Sequence, residues 1–141
     1  MGFLYGVILV MLAGCLRIIR SMYRLSRTTS CRPVFIQEKI LTICSMHILV
    51  CASYVYKNLT SFKRCGEVSA YHTRISNDLY IPAARLTQVS QGPVVLSLKI
   101  FNHLPKYIKE SKSLTTFRSA LRKLFSPKPY YSLQEYFSST F

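Results

Sequence analysis

The chain has few acidic residues, and this scarcity excludes several kinds of active site. Five Asp and Glu stand against 19 Lys and Arg in 141 residues, so the formal net charge is +14. Polymerases and nucleases of the two-metal type need clustered carboxylates to hold their ions. Here Asp78 is the single aspartate, and the glutamates are spread from Glu38 to Glu135. With no P-loop and no Gly-x-Ser-x-Gly motif either, we predict no catalytic residue and no enzyme activity of the chain by itself.

Metal-binding spacings are also missing. The chain has five cysteines, but no Cys-x-x-Cys pair from which a zinc knuckle or ribbon could be built. We therefore predict no metal site and no cofactor, and we expect reduced thiols in an intracellular protein, in the nucleus or the cytoplasm. The cysteines are Cys15, Cys31, Cys44, Cys51 and Cys65.

The length and the charge together limit the organisation and the partners. A chain of 141 residues is expected to form one domain at most, with room for a loose end, and is long enough to bury a core. Its net field attracts nucleic acid or an anionic membrane. RNA or DNA, contacted through phosphates, is the predicted partner, and a merely basic, self-repelling surface is the alternative. The sequence leaves the oligomeric state open.

The densest pattern runs from Gly92 to Phe125 and predicts two helices around a proline corner. Gly92-Pro93 opens the first helix, Val94 to Leu104, and Pro105 prevents it from continuing. Ser113 is a candidate N-cap for a second, basic amphipathic helix that extends to Phe125. One stripe of this helix is apolar (Leu114, Phe117, Leu121 and Leu124), and Arg118, Arg122 and Lys123 are expected to project away from it.

The N-terminal segment, residues 1–33, combines an apolar run with regularly spaced arginines. Residues 1–16 carry no charge, and a signal peptide, an anchor and a buried helix all remain open for them. The arginines that follow are three, four and three residues apart, which predicts one face of a helix. We favour a solvated face over a phosphate-facing ridge for them. They are Arg17, Arg20, Arg24 and Arg27.

The segment 34–63 is predicted to hold an apolar helix and a basic connector. The helix is expected over Val34 to Tyr56, and Ile40 to Tyr56 has no formal charge. Because this stretch is short for a bilayer span and contains polar residues, we favour a buried core helix over membrane insertion. The predicted buried stripe is Ile36, Ile40, Ile43, His47, Val50 and Tyr54.

Weak alternation around Pro82 predicts loop or short strands near residues 70–91. Tyr71, Arg74 and Arg85 lie in this segment, and Arg with Tyr suits phosphate contact and base stacking. A rigid loop whose tyrosines pack on the helices is the interpretation that we favour over that one. Further on, Ser126-Pro127-Lys128-Pro129 predicts a break, and Ser132 with Glu135 has the spacing of a capping box.

Several segments, taken in order, resemble one family. They are Ser30 to Phe35, Ile40 to Ile43, Tyr71 to Arg74, Asp78 to Pro82, Lys99 to Pro105, Phe117 to Phe125 and Tyr130 to Phe137. Their order is similar to the C-terminal, post-polymerase region of reverse transcriptases from jockey-like and related LINE-type (non-LTR) retrotransposons, over roughly Leu16 to the C-terminus. Members usually have Asn where His72 stands. Tyr5 to Leu9 resembles a family segment that is normally separated from Leu16 by a longer insert, which suggests a deleted copy.

The resemblance implies that residues 64–141 are the family's C-terminal region: loop, helix, proline corner, basic helix and aromatic tail. The whole chain is then expected to be a small, mainly α domain. Its expected role is that of a non-catalytic remnant of an RNA-directed DNA polymerase, in which a non-specific RNA- or DNA-binding accessory segment survives. Two alternatives stay open: a small membrane-associated protein anchored by residues 3–16, and a functionless pseudogene product.

Overall fold

The computed structural model describes residues 2–68, 76–82 and 92–141, and this part of the chain is mainly α-helical, as predicted. Eight α-helices and one 3₁₀ turn make up its regular structure. They are α1 (Gly2–Met22), α2 (Arg32–Gln37), α3 (Ile43–Lys57), the 3₁₀ turn Leu59–Ser61, α4 (Cys65–Val68), α5 (Pro93–His103), α6 (Lys106–Lys109), α7 (Leu114–Phe125) and α8 (Leu133–Ser138).

The predicted loop or strand segment near 70–91 is described only over residues 76–82. There Leu79 forms an isolated antiparallel bridge with Arg64, and the described residues contain no sheet. The bridge is supported by the Cys65 N–H, which donates to the Asp78 carbonyl at 2.9 Å. None of the helices in the described ranges is both long and apolar enough to cross a membrane.

The chain divides into two compact units, each with its own core. Unit 1 comprises Met1–Leu49 and Ser119–Thr140, and unit 2 comprises Val50–Arg118 and Phe141. The core of unit 1 includes Leu12, Phe35, Cys44, Ile48, Leu121, Phe125, Tyr130, Leu133 and Tyr136. The core of unit 2 includes Ala52, Val55, Leu79, Leu96, Ile100, Phe101, Leu104, Ile108 and Phe117.

The two helices predicted around Pro105 are confirmed. Gly92 is the N-cap of α5, which ends at His103, and Pro105 then begins a separate short helix as the N-cap of α6. Ser113 caps α7, because its Oγ accepts a hydrogen bond from the Thr116 N–H at 3.2 Å.

The predicted arginine face of the first helix is wrong beyond Met22, where α1 ends. Arg24 has a positive φ of 52°, so the backbone turns out of the helix there. The Leu25 N–H donates to the Arg20 carbonyl at 2.8 Å and the Arg24 N–H to the Ser21 carbonyl at 3.4 Å. This pair of bonds is a Schellman motif, built with arginine at the position where glycine is commonest. Arg24 and Arg27 therefore do not share a helical face with Arg17 and Arg20.

The single helix predicted over Val34 to Tyr56 is also wrong. The chain forms α2 and α3 instead, and Lys39, with φ 53°, lies between them. The Ile40 N–H donates to the Phe35 carbonyl at 3.0 Å and the Lys39 N–H to the Ile36 carbonyl at 3.3 Å, which again is a Schellman closure. Thr42 then caps α3, since its Oγ1 accepts from the Ser45 N–H at 3.2 Å.

Of the buried stripe predicted for this segment, Ile43 and His47 are half-buried, and the other four residues are not buried. Ile36, Ile40, Val50 and Tyr54 are exposed, with 44, 45, 63 and 50% of their surface accessible. The buried face of α3 is formed by Cys44, Ser45, Ile48, Ala52 and Val55. Because the break at Lys39 resets the helical phase, residues spaced regularly across it do not share a side.

The capping residues predicted for the last helix are confirmed. The Ser132 Oγ accepts from the Glu135 N–H at 3.1 Å, and a Glu135 carboxylate oxygen accepts from the Tyr131 N–H at 2.9 Å. This places the tyrosines of the tail in the core of unit 1. Rings of Phe125, Tyr130 and Tyr136 meet edge to face, with centroids 5.6 to 6.1 Å apart.

Candidate nucleic-acid interface

Positive charge is spread over both units. Unit 1 has nine Lys and Arg against two Glu, and unit 2 has ten against three Asp and Glu, so each carries a net +7. Of the 19 basic residues, all but Arg74 and Arg85 lie in the described ranges. Ion pairs there involve Arg32 with Glu135 and Lys109 with Asp78. Most described cations therefore face solvent without a carboxylate partner, which favours contact with a polyanion.

Helix α7 presents the clearest basic surface. Arg118, Arg122 and Lys123 are exposed, whereas Phe117 and Leu121 on the other side are fully buried. Thr115, Thr116 and Ser119 are exposed beside the cations, and α7 contains no acidic residue. We call the exposed side of α7 formed by Arg118, Arg122 and Lys123 the basic face. Hydroxyl and cationic groups of this kind are the usual donors to phosphate oxygens.

One cation of the basic face is held in place by a neighbour. The Arg118 Nε donates to the Ser53 Oγ at 3.3 Å, and the two residues belong to unit 2. Phe117 beside it stacks on Tyr56, with ring centroids 4.4 Å apart and planes at 19°. The packed side of the helix thus fixes the position of its cationic side, and the remaining guanidinium donors of Arg118 can still reach a ligand.

The arginines of the N-terminal segment do not share one helical face. Arg17 is exposed on α1, and Arg24 and Arg27 are exposed after the helix end. Arg20 is half-buried, and its guanidinium donates to the Thr29 carbonyl at 3.4 Å. The Arg20 Nε is buried and finds no acceptor among the described residues. Arg20 therefore holds the turn that follows α1 and is poorly placed to meet a phosphate.

Three of the predicted contact residues lie outside the described residues. They are Tyr71, Arg74 and Arg85.

Sequence reasoning missed a polar cluster in unit 2. The Lys109 Nζ donates to Asp78 Oδ1 at 3.2 Å and to the Asn102 carbonyl at 2.6 Å. The Asn102 side chain both accepts from the Leu79 N–H and donates to the Leu79 carbonyl, each at 2.9 Å. These groups border a pocket of about 200 Å³, also lined by Arg64, Phe101 and Lys106. Pro105 indicated a turn in the sequence. It did not indicate which residues this turn would bring together.

A second unpredicted cluster lies in unit 1. The Arg32 guanidinium contacts Glu135 Oε1 at 2.6 Å and lies 4.7 Å from the centre of the Tyr131 ring. Phe35 meets the same ring edge to face at 6.1 Å. Arg32 is thus neutralised and stacked, so it contributes to packing more than to the free positive surface.

Burial favours the neutral forms of Cys44, Cys51 and His47. Burial raises the pKa of Cys44 to about 11 and also raises that of Cys51, so both thiols stay protonated at neutral pH. Burial lowers the pKa of His47, which keeps its imidazole neutral. No group of three or more His, Cys, Asp or Glu that could hold a metal ion occurs in the part of the chain that the structure describes.

Comparisons with family models, with curated proteins and with solved structures return no match to this chain.

Proposed function

We propose that the chain is a non-catalytic segment derived from the C-terminal region of a LINE-type reverse transcriptase, and that it binds RNA or DNA through phosphate contacts, in the nucleus or the cytoplasm. The observation that carries the proposal is the basic face of α7, with three exposed cations on one side of a helix that lacks carboxylates. The proposed origin is supported by the resemblance of the ordered segments to the C-terminal region of LINE-type reverse transcriptases. The affinity for a polyanion is supported by the many cations that are not in the ion pairs of Arg32 and Lys109.

The expected binding is electrostatic and independent of sequence. A helix face of arginine and lysine contacts the nucleic-acid backbone, and phosphates are the same at every base pair. Each phosphate neutralised on duplex DNA contributes about 0.9 to the slope of log K against log salt. Affinity should therefore fall steeply with salt and change little when the base sequence is altered.

The test is a salt titration of labelled RNA and DNA by fluorescence anisotropy. Replacing Arg118 and Arg122 with alanine should reduce the salt slope by up to about two units if both touch phosphate. The matched control is Lys57→Ala with Lys99→Ala, which removes two exposed cations from α3 and α5 and should leave the slope unchanged. Flat affinity of the parent chain with salt, or strong sequence dependence, contradicts nucleic-acid binding of this kind. If the salt slope falls equally in the two double variants, the phosphate contacts cannot be assigned to α7.

Two further experiments address the catalytic part of the proposal and the origin. Purified chain should extend no primer on RNA or DNA templates with magnesium or manganese, because it has no clustered carboxylates for the ions. Extension that persists after contaminating polymerase has been removed contradicts this. Genomic DNA upstream should encode polymerase segments with paired aspartates, and flanking DNA without any trace of them contradicts the origin.

A further inference from the structure

Part of the outer side of α1 is apolar. Met11, Ile18 and Met22 follow one another at spacings of seven and four residues, so they lie on one side of the helix. They expose 54, 60 and 72% of their surface, and Val10 beside them exposes 74%. A Cβ placed on Gly14, between them, would meet nothing within 4 Å. We call the surface formed by Val10, Met11, Ile18 and Met22 the apolar stripe.

The opposite side of α1 is the one that packs. Leu12 is 6% exposed, and Leu16 and Ile19 are half-buried. A helix on the surface of a globular unit normally turns polar residues outward, so apolar residues on both sides indicate a second apolar environment. Contiguous exposed apolar surface of this kind marks an interaction site.

Exposed cations lie on α1 and directly after it in the chain. Arg17 is exposed two turns after Val10, and Arg24 and Arg27 are exposed beyond the end of the helix. Tyr23 is 40% exposed at the same end, and its pKa is raised by desolvation and then by the interaction of its hydroxyl with Glu38. Glu38 is thus close to Tyr23, and the three arginines outweigh its single negative charge.

The charge of the chain decides among the surfaces that could cover the stripe. A second copy carries the same +14 and is repelled. Nucleic acid is attracted but offers phosphates and no hydrocarbon to Met11, Ile18 and Met22. An anionic bilayer offers both negative charge and hydrocarbon. Its headgroups attract arginine, and the boundary with its acyl chains takes up apolar side chains.

We propose that α1 binds the surface of anionic membranes, lying in the plane of the interface. The apolar stripe enters the headgroup and acyl boundary, and Arg17, Arg24 and Arg27 meet lipid phosphates. This binding is peripheral and independent of the basic face of α7. It goes beyond the proposed nucleic-acid function and does not rest on it.

The test is flotation of the full chain with vesicles of phosphatidylcholine alone and of phosphatidylcholine mixed with phosphatidylserine. The parent chain should float with the mixed vesicles and much less with the neutral ones. Ile18→Ser with Met22→Ser should lower the partition coefficient on mixed vesicles by about tenfold or more, because two side chains no longer bury apolar area. Both positions are exposed, so circular dichroism should show an unchanged fold.

The matched control is Met46→Ser with Val50→Ser, which removes similar apolar area from α3, where these residues are 54 and 63% exposed. It should float like the parent chain, and both variants should keep the parent's affinity for RNA. Failure of the parent to bind mixed vesicles, or equal losses in the two variants, would overturn the proposal. So would a dimer in lipid-free sedimentation that Ile18→Ser with Met22→Ser abolishes, since the stripe would then belong to a second copy.

Discussion

Phe117 joins the sequence pattern of α7 to the packing of unit 2. It is 0% exposed, stacks on Tyr56 and lies 6.1 Å, between ring centroids, from Phe101. Helices α5 and α7 contact each other through the rings of Phe101 and Phe117. Phe117→Ala should lower the free energy of unfolding by about 3–5 kcal/mol, the usual cost of emptying a buried aromatic site. Urea denaturation measures this, and Thr115→Ala, at an exposed position of the same helix, is the control. A Phe117→Ala chain as stable as the parent would show that this packing contributes nothing.

His47 makes the stability of the chain depend on pH near neutrality. Burial lowers its pKa below the usual 6.5, so the unfolded chain takes up a proton at a higher pH than the folded chain does. The contribution of the neutral imidazole to stability is fully present above about pH 6.5, the pKa in the unfolded chain. It is lost as the pH falls through the lower pKa of the folded chain.

The measurement for His47 compares urea midpoints at about pH 7 and about pH 6, a window above the titration of carboxylates. The parent chain should lose stability over this interval, and His47→Gln should lose less, because glutamine cannot take up the proton. If the two chains respond equally to pH, the buried imidazole is not the group that titrates.

At the scale of whole elements, the sequence predicted several of the helix ends that carry proline or a side-chain cap, but not the Thr42 cap of α3. Pro93, Pro105, Ser113 and Ser132 all mark the boundaries expected of them. The helix ends at Arg24 and Lys39 were not predicted. Both Schellman motifs have a long basic residue at positive φ, so the sequence contains no glycine that would indicate the turn.

Helix α3 shows a second limit of pattern reasoning. Ile40 to Tyr56 is uncharged throughout, so the contrast between polar and apolar sides gives little information on which side is buried. Ala52 and Ser45 are buried, whereas Val50 and Tyr54 are exposed, which reverses what hydrophobicity alone indicates.

The left-handed position of Lys39 can be relieved by one substitution. An L-residue in this region of φ and ψ costs about 1–2 kcal/mol, and glycine has no Cβ to strain. Lys39→Gly should therefore raise stability by up to about 1 kcal/mol, after the greater chain entropy of glycine is subtracted. Gln37→Gly, two residues earlier in the last turn of α2, should instead lower it. Thermal unfolding of both variants tests this prediction. A loss of stability in both would mean that the Lys39 side chain makes a contact that stabilises the fold by more than its backbone strain destabilises it.

At the scale of the whole molecule, the candidate site was predictable only as far as it depends on composition and on the local periodicity of α7. The net charge and the cations of α7 follow from the sequence. The bond from Asn102 to Leu79 spans 23 residues and that from Lys109 to Asp78 spans 31, so no local pattern reports them. Phe117 and Leu121 fixed the side of α7 that packs, and this placed Arg118 and Arg122 outward.

Charge repulsion should also set the response of the whole chain to salt. With a net charge of +14 and ion pairs at Arg32 and Lys109 in the described ranges, added sodium chloride screens more repulsion than attraction. The Tm should therefore rise between low and moderate salt.

The control for the salt effect is a variant in which three exposed cations, Arg17, Lys57 and Lys99, are replaced by glutamine, which reduces the net charge from +14 to +11. Its Tm should rise less with salt than the parent's, because less repulsion is left to screen. An equal rise in both chains would assign the effect to the general action of salt on apolar burial. A fall in the Tm of the parent would mean that native ion pairs outweigh the repulsion, and that the exposed cations are less crowded than their number indicates.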